Sequence, residues 1–424
     1  MSVTVVGQRA QRYLAASALV VGLFFLWGVA NNLNDVLVAQ FKKLFVLSDF
    51  RSGLVQSVFY FGYFVWAIPA AIFMRRFGYK AGVVFGLALY AAGALLFLPA
   101  AGAREYAFFL SALFVIASGL AFLETCANPL MTALGPRETA AQRLNFAQSF
   151  NSLGAISGVL IGREFILSGV EPGEAELAAM SASAREAFFA AEAAAVKGPY
   201  LVLGLGLLAL VVVACAIPFP PQARAQDGQD GSRGQFARLL RERRLLAGVA
   251  AQFLYVGAQV GVWSYMIRYA TYTAEGMGEK TAAAWLTGSL AAFMAGRFIS
   301  TGLMSFIAPQ RLLAAYAAGN VLLCFVAVAA PGQVGLAALA ATSFFMSLMF
   351  PTIFALSIDG LDELTKAGSS LLVMAIIGGA IVTAMMGAVS DMTAINLAML
   401  LPMACFAGVF LFAMGAGGTG SARP

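Results

Sequence analysis

Apolar runs of about twenty residues, the length that crosses a bilayer as a helix, recur along nearly the whole chain. They fall at 14–41, 53–74, 81–102, 106–134, 144–168 and 198–219, then resume after a polar gap at 246–272, 282–306, 311–331, 334–358, 367–390 and 394–415. The pattern predicts an all-α membrane protein with twelve transmembrane helices in two six-helix bundles. Residues 1–219 form the first bundle, 220–245 a cytoplasmic linker and 246–424 the second bundle. The linker holds Arg224, Arg233, Arg238, Arg241, Arg243 and Arg244 with Asp227, Asp230 and Glu242, and has room for a short surface helix. An Ala-rich stretch at 174–196 predicts an amphipathic helix outside the membrane, an ordered excursion with no chemistry of its own.

Composition agrees with this pattern. Of 424 residues, 61% are hydrophobic and 11% charged, against roughly 25% charged in soluble domains. The net charge of +6 comes from scattered basic residues, which fit membrane orientation and not a nucleic-acid surface. With both ends inside, the inner loops hold Arg75, Arg76, Lys80, Arg137, Arg143, Arg311 and Lys366, while the longest outer loop is acidic. The first apolar run continues through Phe24-Phe25-Leu26-Trp27 and reads as an uncleaved first helix. The four cysteines lie singly in apolar runs, so neither a disulfide framework nor a metal site is expected.

The two halves share a short repeat. Pro129-Leu-Met-Thr-Ala133-Leu134 matches Pro351-Thr-Ile-Phe-Ala355-Leu356, each at the inner end of the fourth span of its half. A charged loop follows each, then a span containing Gly154-Ala155-Ile156 or Gly379-Ala380-Ile381. Parallel repeats of six helices are the arrangement of major facilitator transporters, which work by alternating access. Met74-Arg75-Arg76-Phe77-Gly78-Tyr79-Lys80 resembles the basic, glycine-containing loop of that fold without its usual acidic residue. It serves as an inner anchor or as a gate.

Polar stripes interrupt several spans. Trp27, Asn31, Asn34 and Asp35 share one face of the first, with Asn32 beside them. Glu124 and Asn128 lie one turn apart in the fourth. Asn145, Gln148, Asn151 and Ser152 share a face of the fifth, and Gln252, Tyr255, Gln259 and Trp263 a face of the seventh. Arg297 lies inside the eighth, where it needs a carboxylate, a carbonyl or a cavity. Amides can bond between helices, worth only ~0.6 kcal/mol on average in membranes. So many polar faces read better as a wet central cavity. An ionised carboxylate at bilayer depth costs at least ~2.5–3.5 kcal/mol, so Asp35 and Glu124 read as functional. The chain has no histidine, which leaves carboxylates to carry any proton.

A cavity rich in amides and aromatics with little net charge suits the hydroxyls and C–H faces of a neutral sugar. An anionic cargo would call for clustered Lys and Arg, and Arg297 alone offers itself. A membrane enzyme would need a nucleophile or metal cluster that the sequence lacks. An exporter of the same fold, running proton antiport, is the main competitor.

Longer motifs carry a family resemblance. Leu26-Trp27-Gly28-Val29-Ala30-Asn31-Asn32-Leu33-Asn34-Asp35 closely resembles the first helix of the L-fucose:proton symporter (fucose permease) family of major facilitators. So do Leu123-Glu124-Thr125-Cys126-Ala127-Asn128-Pro129, the stretch Leu144 to Ser152, Tyr255-Val256-Gly257-Ala258-Gln259, Gly296-Arg297-Phe298 and Pro351-Thr352-Ile353-Phe354. The resemblance spans nearly the whole chain. It implies proton coupling at Asp35 and Glu124. It also implies cavity amides at Asn32, Gln148 and Asn151 and a cavity tryptophan at Trp27. Asn31, Asn128, Gln259, Trp263 and Arg297 from the polar stripes, with Phe350, complete the expected sugar site. Fucose permeases carry tyrosine before the second repeat proline, where this chain has Phe350. That missing hydroxyl bears on which sugar is carried, since glucose/galactose and N-acetylglucosamine carriers look like relatives in the family. Arg163-Glu164 is a second departure, with no reading attached. No cofactor is expected beyond the proton as coupling ion. The expected setting is a bacterial inner membrane, as a monomer, with no nucleic-acid partner.

Overall fold

The computed structural model describes residues 14–45, 49–167, 176, 179–219, 238–274 and 276–417. Most of the expected linker therefore lies outside the described residues, as does the start of the Ala-rich outer stretch. The described residues are helical, with ten helices long and apolar enough to cross a membrane. Physical length raises that count. The helix Asp49–Ala103 has 55 residues, about 80 Å at 1.5 Å per residue, far more than a hydrocarbon core of ~30 Å. Gly78 breaks it with φ 83° and ψ 171°, a conformation open to glycine and hostile to side chains. The helix Ala140–Phe165 has 26 residues, enough to cross, but its polar stripe keeps it out of the ten. Dividing the first and including the second gives the twelve spans that the apolar pattern predicts.

The spans are α1 Leu14–Leu44, α2 (49–77) and α3 (79–103) on either side of Gly78, α4 Tyr106–Ala133, α5 Ala140–Phe165 and α6 Lys197–Ala216. After the linker come α7 Arg243–Thr273, α8 Glu279–Leu303 and α9 Pro309–Ala329. Span α10 is Gln333–Met346 continued by Met349–Ile358. Span α11 is Thr365–Met374 continued by Gly378–Met392, and α12 is Leu400–Gly417. Contacts divide the chain into two compact units, Met1–Ala127 with Phe150–Ala225 and Asn128–Ser149 with Gln226–Pro424. The inner ends of α4 and α5 thus group with the second unit.

In the first unit α1 and α5 meet backbone to backbone. A Cβ at Gly154 would lie 1.9 Å from the Phe25 carbonyl oxygen, and one at Gly28 2.0 Å from that of Asn151. Gly158 and Gly162 continue the seam against Val29 and Val36. Small residues four apart are how membrane helices approach this closely, since lipid supplies no hydrophobic drive for packing. In the second unit α7 and α11 use the same device. A Cβ at Gly378 would lie 2.2 Å from the Phe253 carbonyl oxygen, and one at Gly257 2.4 Å from a Val382 methyl. The repeat seen in sequence at Gly154 and Gly379 is therefore also a repeat of packing, within one residue.

The outer stretch contains a helix at Ala182–Ala195, capped where Ser181 Oγ accepts from the Ala184 amide. It is tied to the bundle more firmly than a bland excursion requires. Gln40 on α1 donates to the Glu192 carboxylate at 2.7 Å and to its carbonyl at 3.1 Å, both side chains being buried. Arg104 pairs with Glu186, and Phe97 stacks on Tyr200 with ring centroids 3.8 Å apart. Lys80 donates to the Cys215 and Ile217 carbonyls at 2.6 and 3.0 Å, closing the C-terminal end of α6. That gives the basic loop a structural task alongside any gating one.

Candidate functional site

Polar side chains of the first unit gather around Glu124. It is 2% exposed on α4, among Leu120, Ala121 and Leu123. The α2 residue Tyr63, 3% exposed, has Glu124 within electrostatic reach and the indole of Trp27 beside its hydroxyl. Tyr90 on α3 adds a second buried phenol, its hydroxyl donating to the Leu26 carbonyl at 3.3 Å. On α5, Asn151 donates to the Phe24 carbonyl at 3.2 Å, one turn before Trp27. Trp27 and Glu124 thus both lie near Tyr63. Nothing in the sequence singles out Tyr63 and Tyr90, because tyrosines in an aromatic-rich apolar span look like ordinary core.

The α1 stripe is only partly aimed at open space. Asn34 is buried at 1% exposure, while Trp27, Asn31 and Asn32 are half-buried. Asn32 donates back to the Gly28 carbonyl at 3.0 Å, satisfying itself within the helix. Asp35 belongs to α1 by its backbone, but its side chain lies outside the described residues.

In the second unit a chain of bonds joins Asn128, Gln148 and Arg297. Gln148 Nε2 donates to Asn128 Oδ1 at 3.0 Å, and Arg297 Nη1 donates to the Gln148 carbonyl at 2.5 Å. Arg297 Nε donates to the Ser347 carbonyl at 3.0 Å. That acceptor exists because Pro351 has no N–H, so the carbonyl four residues earlier lacks its helical partner. The guanidinium also lies 4.6 Å from the Phe293 ring centroid. Its charge is therefore met by carbonyls and an aromatic face, in a side chain 4% exposed. Trp263 Nε1 donates to Ser343 Oγ at 2.9 Å on α10. Gln259 is half-buried, and Phe350 is buried and stacked on Phe354 at 6.4 Å.

The inner end of α4 and α5 is held by further bonds within the same unit. Arg143 donates to the Thr132 and Pro136 carbonyls at 2.6 and 2.7 Å, serving the unpaired C-terminus of α4. Asn145 donates to Thr352 Oγ1 at 3.1 Å, Gln142 to Ser305 Oγ at 2.8 Å, and Arg137 pairs with Asp362. Arg163 and Glu164 form an exposed pair at 3.5 Å.

Within each unit, amides and indoles offer hydrogen bonds that hydroxyl groups could use, and in the first unit a desolvated carboxyl could hold a proton. Among the described residues no group of acidic, cysteine or histidine side chains could hold a metal ion. Comparison with known proteins agrees with the fold and with the motifs. Residues 13–372 match the family model of the Major Facilitator Superfamily. The chain is 47% identical to the L-fucose-proton symporter of Escherichia coli (strain K12), over 96% of this chain and 94% of that protein. It is 39% identical to a glucose/galactose transporter of Brucella abortus, over 92% of each. The crystal structure of the major facilitator transporter FucP in the outward conformation superposes with a TM-score of 0.90 at 46% identity, covering 96% of this chain and 99% of that one. Twelve spans, two six-helix repeats, the embedded carboxyl and these likenesses agree: the chain belongs to the major facilitator superfamily, in the family of the L-fucose–proton symporters.

Proposed function

We propose that this protein is a secondary active transporter that imports a neutral monosaccharide, L-fucose or a related hexose, by proton symport through alternating access. The observation that carries this reading is Glu124, 2% exposed at span depth, near the buried Tyr63 phenol, in a chain without histidine. The 47% identity to an L-fucose-proton symporter supports it. In this reading Glu124 takes a proton from the outer side, and the neutral, sugar-loaded carrier then closes and opens inward. An uncharged carboxyl crosses the closed state at far lower cost than an ionised one. Asp35 recognises sugar or relays the proton. Trp27, Asn31, Asn32, Asn151 and Gln259 face the sugar, and Arg297 holds Gln148 and Asn128 in place. The protein works in a bacterial inner membrane with both termini cytoplasmic, as a monomer and without a cofactor.

A glucose/galactose carrier is the second reading, favoured by the Brucella relative and by Phe350, whose ring offers no hydroxyl to a sugar. Proteoliposomes with an imposed inward proton gradient, given fucose, galactose, glucose, mannose and N-acetylglucosamine in turn, test both. Gradient-dependent uptake of one sugar, with alkalinisation outside when it is added, is the expected result and names the cargo. Acidification outside would indicate antiport, and uptake blind to the gradient for every sugar would defeat the proposal.

A further inference from the structure

We propose that Gln252, on α7, reads a hydroxyl of the cargo and so helps determine which sugar is carried; this rests on the sugar-transport reading above. Gln252 is 0% exposed, yet neither its amide nitrogen nor its amide oxygen has a hydrogen-bond partner among the described residues. Buried amides are nearly always satisfied, and a helix interior offers no reason to leave both ends of one unmet.

The register of α7 on α10 places this amide. A Cβ at Gly248 would lie 1.8 Å from Ser357 Oγ, and Tyr255 donates to the Met346 carbonyl at 3.1 Å. Residues 248, 252 and 255 share one helical face, so Gln252 faces α10 between those two contacts. The facing stretch is 347–356, which includes Phe350. Within 348–356 the sequence is apolar apart from Thr352, whose hydroxyl already accepts from Asn145. The carboxamide oxygen of Asn145 is itself buried and has no hydrogen-bond partner among the described residues. Two amides with unmet groups therefore stand at one level of α10. An amide both donates and accepts, which matches a sugar hydroxyl and not a charged or purely apolar ligand. Gln259 and Trp263 continue the same α7 face, so Gln252 is the deepest rung of a ladder that cargo could follow as α7 and α10 part.

The test uses full-length protein in proteoliposomes, as wild type and as Gln252→Leu, which keeps the volume and removes both unmet polar groups. Apparent affinity is measured for the transported hexose and for its single-deoxy derivatives, with thermal stability followed alongside. Wild type should disfavour one deoxy sugar by about tenfold, the worth of a hydrogen bond. In Gln252→Leu the parent sugar should fall to the affinity of that derivative, the other ratios should hold, and thermal stability should be equal or higher. Gln252→Met serves as the second variant if the first does not fold. Unchanged affinities, or the same loss for every derivative, would overturn the inference. The wild-type arm separates the two ideas: no proton-driven monosaccharide uptake there defeats the transport reading and this inference with it.

Discussion

Arg297 shows how one charge is kept inside an apolar span. Its Nε takes the Ser347 carbonyl that Pro351 leaves free, and an Nη takes the Gln148 carbonyl. A lysine has one ammonium and no planar fork, so it cannot reproduce both bonds. Arg297→Lys is expected to lower stability by about 1–3 kcal/mol, seen as a lower melting temperature in detergent. If Arg297 instead contacts cargo alone, sugar affinity will fall while the melting temperature stays put. Asp35 is a different case, an acid on the same stripe as Trp27 and Asn31. Asp35→Asn is expected to lose active uptake, and an unchanged pH dependence of uptake would remove Asp35 from proton handling.

The helix seams are glycine seams, and they can be tested without touching cargo. Gly154→Val would push side-chain atoms into the Phe25 carbonyl, and Gly378→Val into that of Phe253. Each is expected to cost about 1–3 kcal/mol or more by overpacking, read as lost thermal stability. Gly206→Ala, where a Cβ meets nothing within 4 Å, should change nothing. The spans themselves could be read from sequence because bilayer thickness sets their length and lipid excludes polar faces. The repeat at Pro129 and Pro351 could be read too, and its physical use at Pro351 became clear only with Arg297 beside the freed carbonyl. Tyr63 was hidden, because nothing in its apolar surroundings separates a site phenol from a core ring. The Gln40–Glu192 tie was hidden as well, since it joins residues 152 apart and no local periodicity reports such a bond. Gln252 was visible on its stripe, but only the structure shows that its amide goes unmet among the described residues.

Across the molecule, the apolar pattern and the basic loops support a proposed topology that can be tested. Reporter fusions at both ends should report the cytoplasmic side, and an outward reading at either end would break the twelve-span orientation. Energy for uphill transport is ample: one charge moved through 100 mV supplies ~2.3 kcal/mol, before any pH difference. Using it requires that proton and sugar together favour closure, and that neither alone does so. In the proposed mechanism Glu124 is the group on which that condition rests. Proteoliposomes carrying Glu124→Gln should therefore still exchange labelled for unlabelled sugar, because the amide imitates the neutral acid, yet should fail to concentrate sugar under an inward proton gradient. Concentration of sugar by Glu124→Gln to wild-type levels would contradict the coupling role assigned to this residue.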